Sequence, residues 1–142
     1  MTDLLVEYPV VVEVPVQWSD MDAYGVVNST VYFRYFSASR VAYLESCGFM
    51  ETYERDRIGA ILHSAECRYR QPLQHPDTVI VGTRVTSVEA DRFTMQHCAV
   101  SEREDVVAAE GSAVIVSFDY NTRGKTALPE SVRRRIAEIA SR

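Results

Sequence analysis

The sequence predicts an α+β protein in which one antiparallel sheet curls round one long helix. Three observations predict it. From Asn28 to Cys47, semi-apolar residues recur at three- and four-residue spacing, the period of a helix face. Four strand-like runs then follow one another, separated only by short polar breaks. A Val-rich run precedes the helix, and a short amphipathic segment closes the chain. Helical and strand segments are thus segregated rather than alternating, which argues against a parallel βαβ sheet.

Each element has its own warrant. Residues 6–18 are rich in β-branched side chains, but Pro9 and Pro15 place that strand at an edge or give it a bulged start. Ser19 to Gly25 is loop chemistry. The helix over 28–47 has Asn28 or Ser29 as its cap and Gly48 as its stop. Tyr32, Tyr35, Phe36, Ser39, Ala42, Tyr43 and Ser46 form one broad semi-apolar face, with Arg34, Arg40 and Glu45 opposite. Residues 49–59 read as a charged connector with room for a helical turn, ended by Gly59.

The four strands are expected over 60–70, 78–88, 93–101 and 106–118. In the first, Ala65, Cys67 and Tyr69 alternate with Glu66, Arg68 and Arg70, so one face is wet. Short connections favour antiparallel neighbours. Pro129 opens a terminal helix whose apolar stripe is Val132, Ile136, Ile139 and Ala140. No repeat or linker divides the chain, so residues 1–142 are expected to be one domain. Such a sheet leaves edges uncovered, and self-association is expected.

Composition narrows the function. Apolar residues make up 46% and charged residues 25%, which excludes a disordered or fibrous chain. The formal charge of −5 counts against nucleic-acid and membrane-surface binding. No apolar run is long enough to span a bilayer, and no basic segment precedes Leu4-Leu5-Val6 to suggest a leader. Cys47, Cys67 and Cys98 are odd in number and widely spaced, which fits neither a disulfide framework nor a zinc site. A cytoplasmic protein is expected.

The segment Asp20-Met21-Asp22-Ala23-Tyr24-Gly25-Val26-Val27-Asn28-Ser29 carries the candidate chemistry. Two carboxylates stand just before a helix start, where amides lack internal partners and the dipole is positive. Such an end can hold a carbonyl oxygen that gains charge in acyl transfer, while a nearby carboxylate acts as nucleophile or general base. The same residues also suit a plain turn or cap. They lack the His or third carboxylate that a metal would need, so no metal or cofactor is expected.

The run from Trp18 to Asn28, followed by Tyr32-Phe33-Arg34-Tyr35-Phe36, resembles the entry motif of the hotdog-fold thioesterases, specifically the 4-hydroxybenzoyl-CoA thioesterase-like group. Glu66 to Leu73 with Asp77 is similar to that family's second strand and turn, and Leu128-Pro129-Glu130 to its entry into the last helix. The resemblance implies an acyl-CoA thioesterase with a five-stranded sheet wrapped round one helix. It places the catalytic carboxylate on Asp22, attacking the thioester carbonyl or activating water. It places the oxyanion site on amides of Asn28, Ser29 and Thr30, with Ser29 the best match. Gly25 allows the tight turn before the helix.

Active sites in that family lie between two subunits, which implies a homodimer or homotetramer. His63 and Ser64 become candidate pocket residues, and Tyr24 either faces the acyl group or merely packs. Arg68, and Arg92 after the turn at Asp91, are candidates for the coenzyme A phosphates. The chain departs from many relatives in having Val26 and Ser29 where they carry a junction His, and no His before His63. A mechanism through such an imidazole is excluded, dehydration falls to a minor alternative, and a helix-borne Glu is a poor match because only Glu45 is present. His75 reads as a loop residue and His97 as a hydrogen-bonded sheet residue. The rival reading is a catalytically silent hotdog domain that binds acyl-CoA or an acyl-carrier protein.

Overall fold

In the computed structural model, which describes residues 2–142, the elements follow in the expected order. They are β1 (Val10–Pro15), α1 (Val31–Ser46), α2 (Phe49–Asp56), β2 (Ile58–Tyr69), β3 (Thr78–Val88), β4 (Arg92–Ser101), β5 (Val106–Asp119), β6 (Gly124–Lys125) and α3 (Glu130–Ala140). Five strands form one antiparallel sheet in the order β1-β3-β4-β5-β2, and the two-residue β6 adds to β5. Connections β3–β4 and β4–β5 join neighbours, as short turns should. The connection from β2 to β3 does not. It crosses to the far side of the sheet, and β2 pairs with β5 instead.

Three elements differ from the sequence reading. The first strand is shorter than 6–18, because single 3-10 turns at Asp3–Leu5 and Trp18–Asp20 flank it. The charged connector contains a helix of eight residues, α2, set off by left-handed backbone at Gly48 (φ 90°) and Arg57 (φ 60°). Gly59, expected to end that connector, is already the second residue of β2.

The sheet closes on α1 through side chains that the helical spacing selected. Tyr32, Tyr35, Phe36, Ser39 and Tyr43 are all buried. Near the helix start, Tyr32, Tyr35 and Phe36 pack with Val79, Val81, Ala99 and Ala109. Toward its end, Tyr43 and Cys47 meet Phe93, Met95, Ile115 and the stripe Val132, Ile136 and Ile139 of α3. Close approach of α1 to the sheet requires glycine at Gly111, where a Cβ would stand 2.5 Å from the Phe36 ring. β2 reaches α1 through Tyr69, edge to face with Tyr32, and through Cys67. Its full length forms one edge of the sheet, with Ile61, Leu62 and Tyr69 substantially exposed.

Candidate active site

The loop between β1 and α1 is built round Asp20, not Asp22. The Asp20 side chain is 2% exposed. Its carboxylate accepts from Arg34 Nη2 at 2.7 and 2.8 Å, from the Tyr35 hydroxyl at 2.9 Å and from the Gln17 amide at 2.9 Å. Its backbone carbonyl accepts from the Asn28 amide at 2.9 Å. Burial alone would raise the Asp20 carboxyl, but the Gln17 amide, Arg34 and Tyr35 outweigh it and hold the group below the ordinary carboxylate range. Asp20 therefore stays ionised and fixes the end of β1 to the first turns of α1.

Asp22 is half-buried and differently held. Its amide donates to the Val26 carbonyl at 2.8 Å, and its carbonyl accepts from Gly25 at 3.1 Å, closing a tight turn. Gly25 takes φ 77°, which only glycine adopts without strain. One carboxylate oxygen accepts from the Tyr24 amide at 2.8 Å. The other has no hydrogen-bond partner among the described residues. The two carboxylates are thus separated by environment: one is saturated, the other has a free lone-pair edge.

At the helix start, three amides are taken. That of Asn28 donates to Asp20, that of Thr30 to the Asn28 side chain at 3.0 Å, and that of Val31 to the Asn28 carbonyl at 2.9 Å. The Ser29 amide has no partner among the described residues, and Ser29 is exposed. The Ser29 carbonyl accepts from the Tyr69 hydroxyl at 2.8 Å, which ties the end of β2 to this turn. A mainly apolar cleft of about 260 Å³ opens beside it, lined by Val27, Ser29, Tyr32, Tyr69, Arg70, Gln71 and Pro72.

The remaining candidates are not gathered here within one chain. Tyr24 sits at the turn tip, 91% exposed. His63 and Ser64 are exposed at a bulge in mid-β2, about 17 Å along the strand from Tyr69. Arg68 lies on the outer sheet face, opposite Glu110 on β5. Arg92 begins β4 at the other end of the sheet and pairs with Asp91 at 2.9 Å. No cluster of three or more His, Cys, Asp or Glu that could hold a metal occurs among the described residues. Cys47 and Cys98 are buried, and desolvation pushes their thiols up to about 12 and about 11, so they are not nucleophiles. The sequence reading missed two partners: Arg34, assigned to the solvent face, and Tyr69, assigned only to a strand.

His97 is a core residue stacked on Phe36. The Ser39 hydroxyl donates to the Val81 carbonyl, so Thr83 must donate to Ser39 and accept from His97 Nδ1 at 2.7 Å. His97 Nε2 is then a bare acceptor with no partner among the described residues. Burial, with a smaller push from Arg40, takes the ring down to about 3. Below about pH 6.5 the unfolded chain holds a proton that the native ring refuses. Stability is therefore full above that pH and falls by about 1.4 kcal/mol per unit toward pH 3. Urea unfolding at pH 5 should give about 2 kcal/mol less than at pH 7, and His97→Gln should flatten that dependence; a slope unchanged in the variant would refute the assignment.

A family model described as the thioesterase-like superfamily matches residues 16–136, from the end of β1 into α3. The chain belongs to that superfamily. It is a thioester hydrolase of α+β hotdog architecture. A chloroplastic acyl-acyl carrier protein thioesterase from Arabidopsis thaliana is 30% identical over 132 residues, covering 90% of this chain and 67% of the relative. A Thermus thermophilus thioesterase, solved with coenzyme A and Zn, is 27% identical with a TM-score of 0.84, covering 96% of this chain and 97% of that one. A 1,4-dihydroxy-2-naphthoyl-CoA thioesterase from Synechocystis shares the fold at 19% identity, TM-score 0.79, covering 91% and 96%.

Proposed function

We propose that this thioesterase hydrolyses an acyl-CoA, with Asp22 as the catalytic carboxylate and the Ser29 amide as oxyanion donor. One observation carries the reading: the loop leading into α1 holds a carboxylate with a free oxygen, Asp22, and, seven residues on, an amide with no partner, Ser29, at the edge of an apolar cleft. The carboxylate either attacks the thioester carbonyl carbon, expelling the CoA thiolate and leaving a mixed anhydride that water then hydrolyses, or takes a proton from a water that attacks that carbon and expels the thiolate. In both routes the carbonyl oxygen gains charge, and the Ser29 N–H, backed by the α1 dipole, stabilises it. Asn28 does not act on substrate in this scheme. Its side chain accepts from the Thr30 amide and hydroxyl, which holds the turn that leaves Ser29 free. Coenzyme A as carrier is favoured by the ligand named for the Thermus thermophilus structure. The Arabidopsis thaliana relative makes acyl-carrier protein the comparison substrate.

The site is completed by a second copy. A twelve-residue edge strand, β2, is long and partly apolar, and another strand can add to it. Two-fold pairing of β2 with itself about its midpoint sets the partner's Ile58 end, and with it the partner's Arg92 on β4, toward this protomer's cleft, while His63 and Ser64 meet their own counterparts at the axis and Arg68 stays near its own cleft. Light scattering at micromolar concentration should give twice or four times the 16.1 kDa chain mass; a monomer would remove the partner's Arg92 from the site. No helix is long and apolar enough to cross a membrane. A cytoplasmic location belongs with this proposal. Thiol release from acetyl, medium-chain, long-chain and aromatic acyl-CoAs tests the activity, and binding without release would overturn it in favour of a silent acyl-CoA-binding domain.

A further inference from the structure

Two peptide units meet at the Ser29 Cα, and between them they carry four hydrogen-bonding groups. In the first, the Asn28 carbonyl accepts from the Val31 amide at 2.9 Å. In the second, the Thr30 amide donates to the Asn28 side chain at 3.0 Å, and the Ser29 carbonyl accepts from the Tyr69 hydroxyl at 2.8 Å. The fourth group is the unpartnered Ser29 N–H. The bonds from Val31 and Asn28 are local and belong to the turn itself. Tyr69 alone reaches in from the sheet, forty residues away along the chain. Because each peptide unit is planar, holding the Ser29 carbonyl limits rotation about the Ser29 Cα and so fixes where its N–H points.

Tyr69 is itself firmly placed. It is the last residue of β2 and pairs with Ala109 of β5, which is fully buried. Its ring meets the buried Tyr32 ring edge to face at 5.1 Å, and the Tyr32 hydroxyl accepts from the Leu73 amide at 3.3 Å. Stability is not what the Tyr69 hydroxyl serves. The side chain is 50% exposed, as is the turn it bonds, so water could satisfy both groups in its place at little cost. Water would not, however, hold the carbonyl in one direction.

We propose that Tyr69 is a positioning residue for thioester hydrolysis: its hydroxyl holds the Ser29 carbonyl so that the Ser29 N–H stays aimed at the developing oxyanion. This rests on the assignment of Asp22 and Ser29 above. The hydroxyl acts through Ser29 and makes no bond to substrate. An oxyanion donor is effective only if it is already in place, because any reorganisation during the reaction subtracts from what it stabilises. The donor matters most when the oxygen is charged, so its misplacement lowers kcat and leaves KM alone.

The test uses the full-length protein and whichever acyl-CoA of the panel above is turned over fastest. Tyr69→Phe keeps the ring on Tyr32 and removes only the hydroxyl. It should lower kcat about tenfold, with KM and the urea midpoint unchanged. A second variant shows the route of the effect. Ser29 holds the second position of the turn that Val31 closes on Asn28, and Thr30 follows at φ −72°, ψ −23°, so proline suits that position. Ser29→Pro thus deletes the free N–H and should lower kcat about a hundredfold. Adding Tyr69→Phe to it should cost less than about twofold more, because the group that Tyr69 aims is gone. A near-parental kcat in Tyr69→Phe, a loss confined to KM or to stability, or the same tenfold loss with and without Ser29→Pro overturns the inference while the chemistry stands. If Ser29→Pro does not fold, the split between kcat, KM and the urea midpoint in Tyr69→Phe decides alone. Full turnover in Ser29→Pro or in Asp22→Asn overturns the assignment beneath it instead.

Discussion

Asp22→Asn should lower kcat by about a thousandfold while leaving the unfolding free energy within about 0.5 kcal/mol of the parent. The amide oxygen of Asn can still accept from the Tyr24 N–H, so the turn at Asp22–Gly25 is kept. What is lost is the negative oxygen with no protein partner. A neutral amide neither attacks a thioester nor takes a proton from water. The residual rate would come from the Ser29 amide and substrate positioning, which survive the change. Thiol release under saturating acyl-CoA checks kcat, and a urea melt checks the fold. Near-parental turnover would sink the assignment outright.

Asp20→Ala should show the opposite signature: a loss of about 3 kcal/mol in stability. Removing this carboxylate leaves the buried Tyr35 hydroxyl and the partly buried Gln17 amide without an acceptor. Arg34 is 51% exposed and can turn back to water, which keeps the cost at the low end of that for breaking a buried pair. For a chain of this size the melting temperature should fall by about 10 °C. Activity should fall as well, because Asp20 fixes where Asn28 and Ser29 stand, but the loss should be partial at temperatures where the variant is folded. The acid limb follows with a defined sign. The native carboxyl is depressed, so its contribution is complete above the unfolded value near about pH 3.9. It is lost as pH falls through the native one. A variant as stable as the parent would show that the node is ornamental.

These two substitutions separate carboxylates that look alike in the sequence. Asp20 and Asp22 share a loop, and composition cannot rank them. Resemblance to a family pointed to Asp22, and the geometry supplies a physical reason for the choice. The residues that saturate Asp20 are Arg34 and Tyr35, fourteen and fifteen positions away. A pattern read over a few residues sees an arginine on the polar side of a helix and a tyrosine on the apolar side. It does not see that both reach one carboxylate. The helix α2 was hidden for a related reason. Its eight residues are mostly charged or polar, and its left-handed ends at Gly48 and Arg57 give no apolar period to detect.

What the sequence by itself determined is everything set by local period and chain order. The alternation in β2 to β5 marks strands, the three- and four-residue recurrence in α1 marks the buried face, and Gly48 ends the helix. Those signals hold because a side chain's face depends only on its own backbone geometry. Only the tertiary structure decided what depends on partners distant in sequence. It paired β2 with β5 rather than β3, left β2 as an open edge, buried Asp20 under Arg34 and Tyr35, and left the Ser29 amide unclaimed. Hydrogen bonding and desolvation act through space, so no spacing along the chain encodes which of two neighbouring carboxylates ends up saturated.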